Sequence, residues 1–343
     1  MRAVTIVSQG SPVTPNVRVR DDFEAPVARA GEVVVRTEAS AFNHLDLWVG
    51  RGLPGIDIQY PAIGGSDGCG IVESVGEGVA PSWMGARVLL NAAVPKVPST
   101  EPGTVPAPYD ITMIGEHVHG CHAARFRAPV ANLLPVGETD PVQAAAFGLV
   151  FLTAWRMMVT QAQLREGQLV LITGIGGGVA LAALSIARHF GCKTIVTSRH
   201  ESKIDRAVKL GASCGVLDTG ADFSKSVRSL TNRRGVDLAV DSVGKAAHLS
   251  CIKSLARGGT YATCGATTGG DAVTDLTRIF WNQLRIVGST MGDMREFREV
   301  FALFAAGKLA PVVDQVFPAV EAVEAYRKLE AGEQFGKIVL DWR

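Results

Sequence analysis

The stretch from Leu169 to Lys203 leaves this chain few folds to choose from. An apolar run suited to a strand, Leu169-Val170-Leu171-Ile172-Thr173, leads into the glycine-packed turn Gly174-Ile175-Gly176-Gly177-Gly178-Val179-Ala180 and then a small-residue helix from Leu181 to Phe190. A second apolar strand, Lys193-Thr194-Ile195-Val196-Thr197, ends in Ser198-Arg199-His200-Glu201-Ser202-Lys203. Strand, glycine turn, helix and strand make the βαβ unit that receives a dinucleotide. Glycines let the backbone turn tightly and approach a pyrophosphate, whose charge rests on the free N–H groups of the helix N-terminus. Gly174, Gly176, Gly177, Gly178 and Val179 are the expected phosphate contacts. Read from Gly174, the third glycine position falls on Val179; read from Ile175, it gives Ile175-x-Gly177-x-x-Ala180, where alanine is allowed. The second register is preferred, because Gly177 then approaches the phosphates while Ala180 packs the helix on the strand.

The tip of the second strand selects the cofactor. An NAD site wants Asp or Glu about 20 residues after the turn, to accept from the ribose 2′-hydroxyl. Here Ser198 and Arg199 hold the tip and Lys203 follows one helical turn later, while Glu201 opens the next helix. One hydroxyl and two cations suit a 2′-phosphate, so NADPH is the expected cofactor. Taken singly, Arg199 or Lys203 would be an ordinary solvated charge at a helix start.

The chain has 343 residues, 47% of them hydrophobic, which is enough for more than one core. A net charge of +1 without a basic block argues against nucleic acid or an anionic membrane as partner. No signal-like N-terminus and no run near the ~20 apolar residues of a membrane span is read, so a cytoplasmic protein is expected. The six cysteines are scattered without a Cys-x-x-Cys pair, in keeping with reduced thiols. Residues 1–135 read as short strands broken by Gly and Pro, the texture of a β-rich, partly closed barrel. The proline-rich Pro95–Pro108 stretch within them reads as an exposed loop. Residues 136–289 alternate helix and strand, which predicts an α/β, doubly wound parallel sheet of the Rossmann kind. Residues 290–343, with two helices and a last strand Lys337-Ile338-Val339-Leu340, are expected to return to the first domain.

Several motifs then fall in one order: Gly64-Gly65-Ser66-Asp67-Gly68-Cys69-Gly70-Ile71-Val72, the glycine turn, Asp241-Ser242-Val243-Gly244, Cys264-Gly265-Ala266 and Phe335-Gly336-Lys337-Ile338-Val339. In this the chain resembles the medium-chain dehydrogenase/reductase superfamily over essentially its whole length. The resemblance implies a GroES-like, barrel-like catalytic domain, a Rossmann domain, a cleft for nicotinamide and substrate, and a homodimer. It implies further cofactor contacts at Thr153, Val243 and Gly265. The alcohol-dehydrogenase branch of that superfamily places Cys, His and Cys around a catalytic zinc, and those positions match Asn43, Ser66 and Leu149 here. None is a side chain that zinc selects, so no metal is expected. The four-cysteine structural zinc lobe is matched by the Pro95–Pro108 stretch, which has no cysteine. Asn43-x-x-Asp46 resembles the corresponding stretch of zinc-less quinone reductases, in which a lysine at the Lys203 position holds the 2′-phosphate. Asn43-His44-Leu45-Asp46-Leu47-Trp48 and Ile114-Gly115-Glu116-His117-Val118-His119-Gly120 look more like a bacterial zinc-type branch.

Three functional readings follow. The first is a metal-free reductase that passes hydride from NADPH to a quinone, enone or similar activated carbonyl, a small-molecule substrate. In it Asn43 donates to the developing oxyanion, Asp46 fixes the Asn43 loop, and His44 or water supplies the proton. The second is a zinc-type alcohol dehydrogenase with atypical ligands, and the third an idle, cofactor-sensing protein. His44 reads equally as a cleft-wall donor or a surface residue, and Trp48 as pocket wall or core. Glu116-His117-Val118-His119-Gly120-Cys121-His122, read as a strand with His117 and His119 on one face, is either a metal cluster or polar decoration of the substrate channel.

Overall fold

The computed structural model describes residues 1–96 and 111–343; most of the Pro95–Pro108 loop expected above lies outside the described residues. The chain forms two compact units. One comprises Met1–Leu149, Asp293–Glu299 and Pro311–Arg343, the other Val150–Gly292 and Val300–Ala310. The division therefore falls within the helix Pro141–Trp155 rather than at 135/136, and 300–310 groups with the second unit instead of the first.

The second unit is built on a six-stranded parallel sheet. Its spatial order is Cys214–Leu217, Lys193–Ser198, Leu169–Ile172, Val236–Asp241, Leu255–Thr263, Arg285–Gly288. Counted from Leu169 this is 3-2-1-4-5-6, the doubly wound dinucleotide order, with the switch point beside the Leu169–Ile172 strand. Parallel strands covered by helices have no solvent face, so Val170, Leu171 and Ile172 and their neighbours Ile195, Val196, Leu238 and Ala239 are all buried.

In the first unit, the described residues form a seven-stranded sheet, with smaller three- and two-stranded sheets beside it. The seven-stranded sheet is antiparallel except where Val313–Pro318 runs parallel to Lys337–Asp341. Its organising strand is Glu32–Ala41, which pairs with Asp67–Val75 and Arg125–Pro129 and takes Lys337–Asp341 along its last residues. Its own core gathers Phe42, Leu47, Tyr326, Ile338 and Leu340. This is an α/β protein with a Rossmann sheet and a β-rich unit, as the sequence pattern predicts.

Two local expectations change. Residues 117–121 are turn and bridge, not strand, because Gly115 at φ +91° and the Gly115 N–H to Val118 carbonyl bond fold the chain back at once. Against the expectation of no run near the length of a membrane span stands the helical run Pro141–Gln161, whose end is a π-helical turn over Arg156–Gln161. By length and composition it could cross a bilayer, but 83% of its most apolar window is buried inside the protein.

Candidate functional site

In the first unit, a helix starts where the Glu32–Ala41 strand ends. Asn43 precedes the helix His44–Arg51, and the Asp46 carboxylate reaches back to the Asn43 N–H at 2.8 Å, half of a capping box. The other Asp46 oxygen accepts from the Gly65 N–H at 2.7 Å and lies 3.6 Å from His122 Nε2. That last approach is too long for a strong hydrogen bond. Burial alone would raise the Asp46 pKa; the His122 charge and the two backbone N–H groups outweigh it and hold the carboxyl below its usual range. Asp46 thus joins the Asn43 loop to the Gly64–Asp67 loop. Gly65 is required there: it sits at φ +91°, and a Cβ would strike the His122 ring.

Asn43 turns its amide to two buried charges. Its Nδ2 donates to Asp67 Oδ2 at 2.8 Å, and its Oδ1 accepts from Lys337 Nζ at 2.7 Å. Lys337 Nζ also donates to Asp67 Oδ2 at 2.8 Å, and Asp67 Oδ1 accepts from the Leu149 N–H at 2.6 Å. The side chains of Lys337 and Asp67 are 4% and 0% exposed. Burying two ions costs several kcal/mol each, offset only when the remaining donors and acceptors are matched. Here the Asn43 amide and the Leu149 N–H do the matching.

Of the three positions matched to zinc ligands, Asn43 and the Leu149 backbone thus converge on Asp67. The Ser66 hydroxyl points elsewhere, donating to the Ile114 carbonyl at 2.8 Å. Lys337 escaped the sequence reading because its motif places it on a strand, where a lysine normally reaches solvent; the only hint was its position between Gly336 and an apolar run. His122 was folded into a suspected metal cluster, yet it is fully buried. Its Nδ1 pairs with Ser40 Oγ at 2.9 Å, and Ser40 Oγ accepts from Trp342 Nε1 at 2.9 Å. His117 and His119 face a cavity of about 1370 Å³ instead. Each accepts a backbone N–H at Nδ1, from Met113 and Ile63 respectively, and burial pushes both below the ordinary histidine pKa. The cluster therefore does not converge. His44 packs edge-on to Trp48 with ring centres 5.4 Å apart, and burial, then the Arg51 charge, lower its pKa.

In the second unit the glycine turn divides its labour between the two registers. Positive φ falls on Gly174 (+63°) and Gly176 (+114°), which make the tight turn. Gly177 caps the helix Gly178–His189 with an ordinary φ of −75°. A Cβ there would meet nothing closer than the Gly174 carbonyl at 3.6 Å, so no part of the protein demands that glycine. That open space, beside the unpaired first-turn N–H groups of Gly178 and Val179, fits a pyrophosphate. Ala180 is buried against the sheet.

Across the turn, the Val243 loop is fixed by Asp241. This carboxylate accepts from the Thr173 hydroxyl, from Tyr261 OH at 2.7 Å and from the N–H groups of Val243 and Gly244 at 3.1 and 2.9 Å. A Cβ on Gly174 would lie 3.0 Å from Val243 Cγ2, so the two loops abut. Gly265 is held by the Thr263 hydroxyl, which donates to its carbonyl at 3.0 Å. The Thr153 hydroxyl lies 3.8 Å from the Met291 sulfur. Ser198 ends its strand with Oγ accepting from the His200 N–H at 3.2 Å. Arg199 is exposed, and Glu201 and Lys203 belong to the helix Glu201–Lys209. Beside this tip, Asp218 follows the neighbouring strand and donates its N–H to the Ser198 carbonyl at 2.8 Å.

Comparison with known proteins agrees with this architecture. Residues 29–138 match the alcohol dehydrogenase GroES-like domain, and residues 178–306 match the zinc-binding dehydrogenase family. A crystal structure of an NAD-dependent alcohol dehydrogenase is 37% identical and superposes with a TM-score of 0.89 over 100% of both chains. The zinc-type alcohol dehydrogenase-like protein YogA of Leptosphaeria maculans is 28% identical over 92% of each chain. Human quinone oxidoreductase is 23% identical over 99% of this chain and 97% of its own. The chain belongs to the medium-chain dehydrogenase/reductase superfamily of oxidoreductases.

Proposed function

We propose that this protein is a metal-free oxidoreductase that reduces a quinone, enone or related activated carbonyl with NADPH. The observation that carries this reading is the Asn43–Asp67–Lys337 cluster. At two of the three positions that the resemblance matches to metal ligands, the Asn43 amide and the Leu149 N–H are taken up by Asp67 and Lys337. Simple alcohols and unactivated ketones depend on a Lewis acid to become alkoxides or be polarised. A conjugated acceptor does not, because negative charge spreads along it to a distant oxygen.

Bound at the glycine turn, NADPH would supply the hydride. Gly176, Gly177, Gly178 and Val179 would hold its pyrophosphate, with Val243 and Gly265 along the neighbouring strand ends. Ser198, Arg199 and Lys203 would take the 2′-phosphate, a preference supported by the run Ser198-Arg199-His200 at the end of the strand, where an NAD site wants Asp or Glu. Asn43 retains one Nδ2 hydrogen beyond its bond to Asp67, and this is the donor assigned to the developing oxyanion. Asp46 keeps the Asn43 loop in register. The low pKa of His44 leaves its imidazole neutral at pH 7, which favours water as the source of the final proton.

A zinc-type alcohol dehydrogenase with atypical ligands is the competing reading, and the names of some of the relatives favour it. The two separate by following NADPH loss with quinones, enones and aldehydes, and NADP⁺ reduction with primary alcohols. Turnover led by enones or quinones and unchanged by a chelator is expected. Primary alcohols far outrunning both, or activity lost to the chelator, would overturn the reading. We further propose a cytoplasmic homodimer.

A further inference from the structure

Under the Gly64–Asp67 loop, three buried polar groups meet that the protein alone leaves incompletely bonded. His122 and Tyr326 are 0% exposed and Asp46 is 1% exposed. Ser40 Oγ accepts from the Trp342 indole, so its own hydrogen is the one given to His122 Nδ1. A neutral imidazole that accepts at one nitrogen carries its hydrogen on the other. His122 Nε2 is therefore a donor, with Asp46 Oδ1 3.6 Å away. The Tyr326 hydroxyl comes from the helix Ala322–Ala331. Neither it nor His122 Nε2 finds a hydrogen-bond partner among the described residues. A Cβ on Gly64 would lie 2.6 Å from Asp46 Oδ1 and 3.1 Å from Tyr326 OH, so both oxygens flank the face that this glycine leaves bare. Phe42 packs on both rings, its centre 4.3 Å from that of His122 and 4.8 Å from that of Tyr326. Protein interiors answer such gaps with ordered water, which makes about three hydrogen bonds to groups that would otherwise stay unpaired.

We propose that Asp46 Oδ1, His122 Nε2 and Tyr326 OH bind one internal water molecule, through which His122 and Tyr326 position the Asn43 loop. The water accepts from His122 Nε2–H, donates to Asp46 Oδ1 and makes its third bond to the Tyr326 hydroxyl. Asp46 passes the restraint on, because its two oxygens also hold the Gly65 and Asn43 N–H groups. A helix near the end of the chain thus reaches a loop near its beginning. His122 and Tyr326 are positioning residues. Their effect on turnover rests on Asn43 being the oxyanion donor proposed above, whereas the water site stands without it.

Tyr326→Phe is the deciding variant, since it removes one oxygen and keeps the packing. A buried hydroxyl without a partner weakens the fold, so its removal would raise the urea midpoint; a hydroxyl bonded to water would be missed. The midpoint should fall. A high-resolution crystal structure of the wild type should show one water within hydrogen-bond distance of all three atoms. In the variant, kcat for the best quinone or enone should drop roughly tenfold with KM for NADPH unchanged, because small displacements of a positioned donor are costly. A raised midpoint, or a dry site in the wild-type crystal, would overturn the water site. A lowered midpoint with kcat unchanged would overturn its reach to Asn43. Should the wild type turn over no quinone or enone, the function proposed above fails instead, and the midpoint and the crystal still judge the water.

Discussion

In the dinucleotide unit, nearly everything that would first touch a cofactor lies between Leu169 and Lys203. In the other unit, the central cluster joins Asn43 and Asp67 to a lysine 294 and 270 residues further along. The first arrangement is made by local backbone geometry and survives many side-chain choices. The second exists only because sheet register brings Lys337 alongside the end of the Glu32–Ala41 strand. Sites of the first kind hold a ligand with N–H groups that every residue owns, whereas sites of the second kind depend on individual side chains and can change their chemistry through a few substitutions. A common cofactor unit can in this way accompany reaction centres of different chemistry.

The sharpest way to break this contrast is Asp67→Ala, which strands Lys337 in the core. It should cost about 3–5 kcal/mol of stability, read by urea unfolding, because a buried charge loses its partner. A loss below 1 kcal/mol would mean that the cluster is solvated and the contrast overstated. Next, Asn43→Ala should lower kcat for the best enone or quinone by roughly a hundredfold, equivalent to ~2.7 kcal/mol of oxyanion stabilisation, with KM for NADPH unchanged. If stability falls while kcat holds, Asn43 serves only Asp67 and Lys337.

For the local site, Arg199→Ala/Lys203→Ala should erase an NADPH preference of at least about tenfold while sparing NADH, since charge-assisted bonds are worth ~1.5–3 kcal/mol each. Equal affinity for both cofactors in the wild type would remove the premise. The proposed homodimer is tested at the edge of the same unit. There Leu276, Phe280 and Trp281 are 73%, 67% and 67% exposed, next to the edge strand Arg285–Gly288. Trp281→Glu should convert a dimer to a monomer in sedimentation.

The smallest effect expected is on pH dependence. Burial lowers the folded pKa of His44, His117, His119 and His248. The unfolded chain therefore binds protons more readily near pH 6.5, and stability should fall as pH drops from 7 toward 5. The slope can be no steeper than about 1.4 kcal/mol per pH unit per proton. His44→Gln should flatten part of it, and stability rising toward pH 5 would contradict these burials.

The same contrast explains what the sequence disclosed. The glycine turn, the doubly wound parallel sheet and the β-rich texture of the first unit were legible, because periodicity and turn residues act over short spans; the GroES-like kind of that unit followed from resemblance, and the strand order 3-2-1-4-5-6 from the structure alone. Asn43, Asp46 and the hold of Asp46 on the Asn43 loop could be singled out by resemblance, whereas the bonds of Asn43 to Asp67 and Lys337 and of Asp46 to Gly65 could not. Lys337 stood in a quoted motif without a role, since its burial comes from strands far away in sequence. Residues 117–121 misled for a related reason: alternating histidines imitate a strand, and one left-handed glycine at Gly115 cancels the pattern.

The long reach to Lys337 also sets a timetable for the newly made chain. Asp67 leaves the ribosome 270 residues before its counter-ion. At ~5–20 residues per second, that is a wait of roughly 15–55 s. Throughout it, the Glu32–Ala41 strand lacks its Lys337–Asp341 neighbour. The strands of the dinucleotide sheet are all synthesised within that interval. The unit begun first is thus completed last, and until then its buried carboxylate must stay wet.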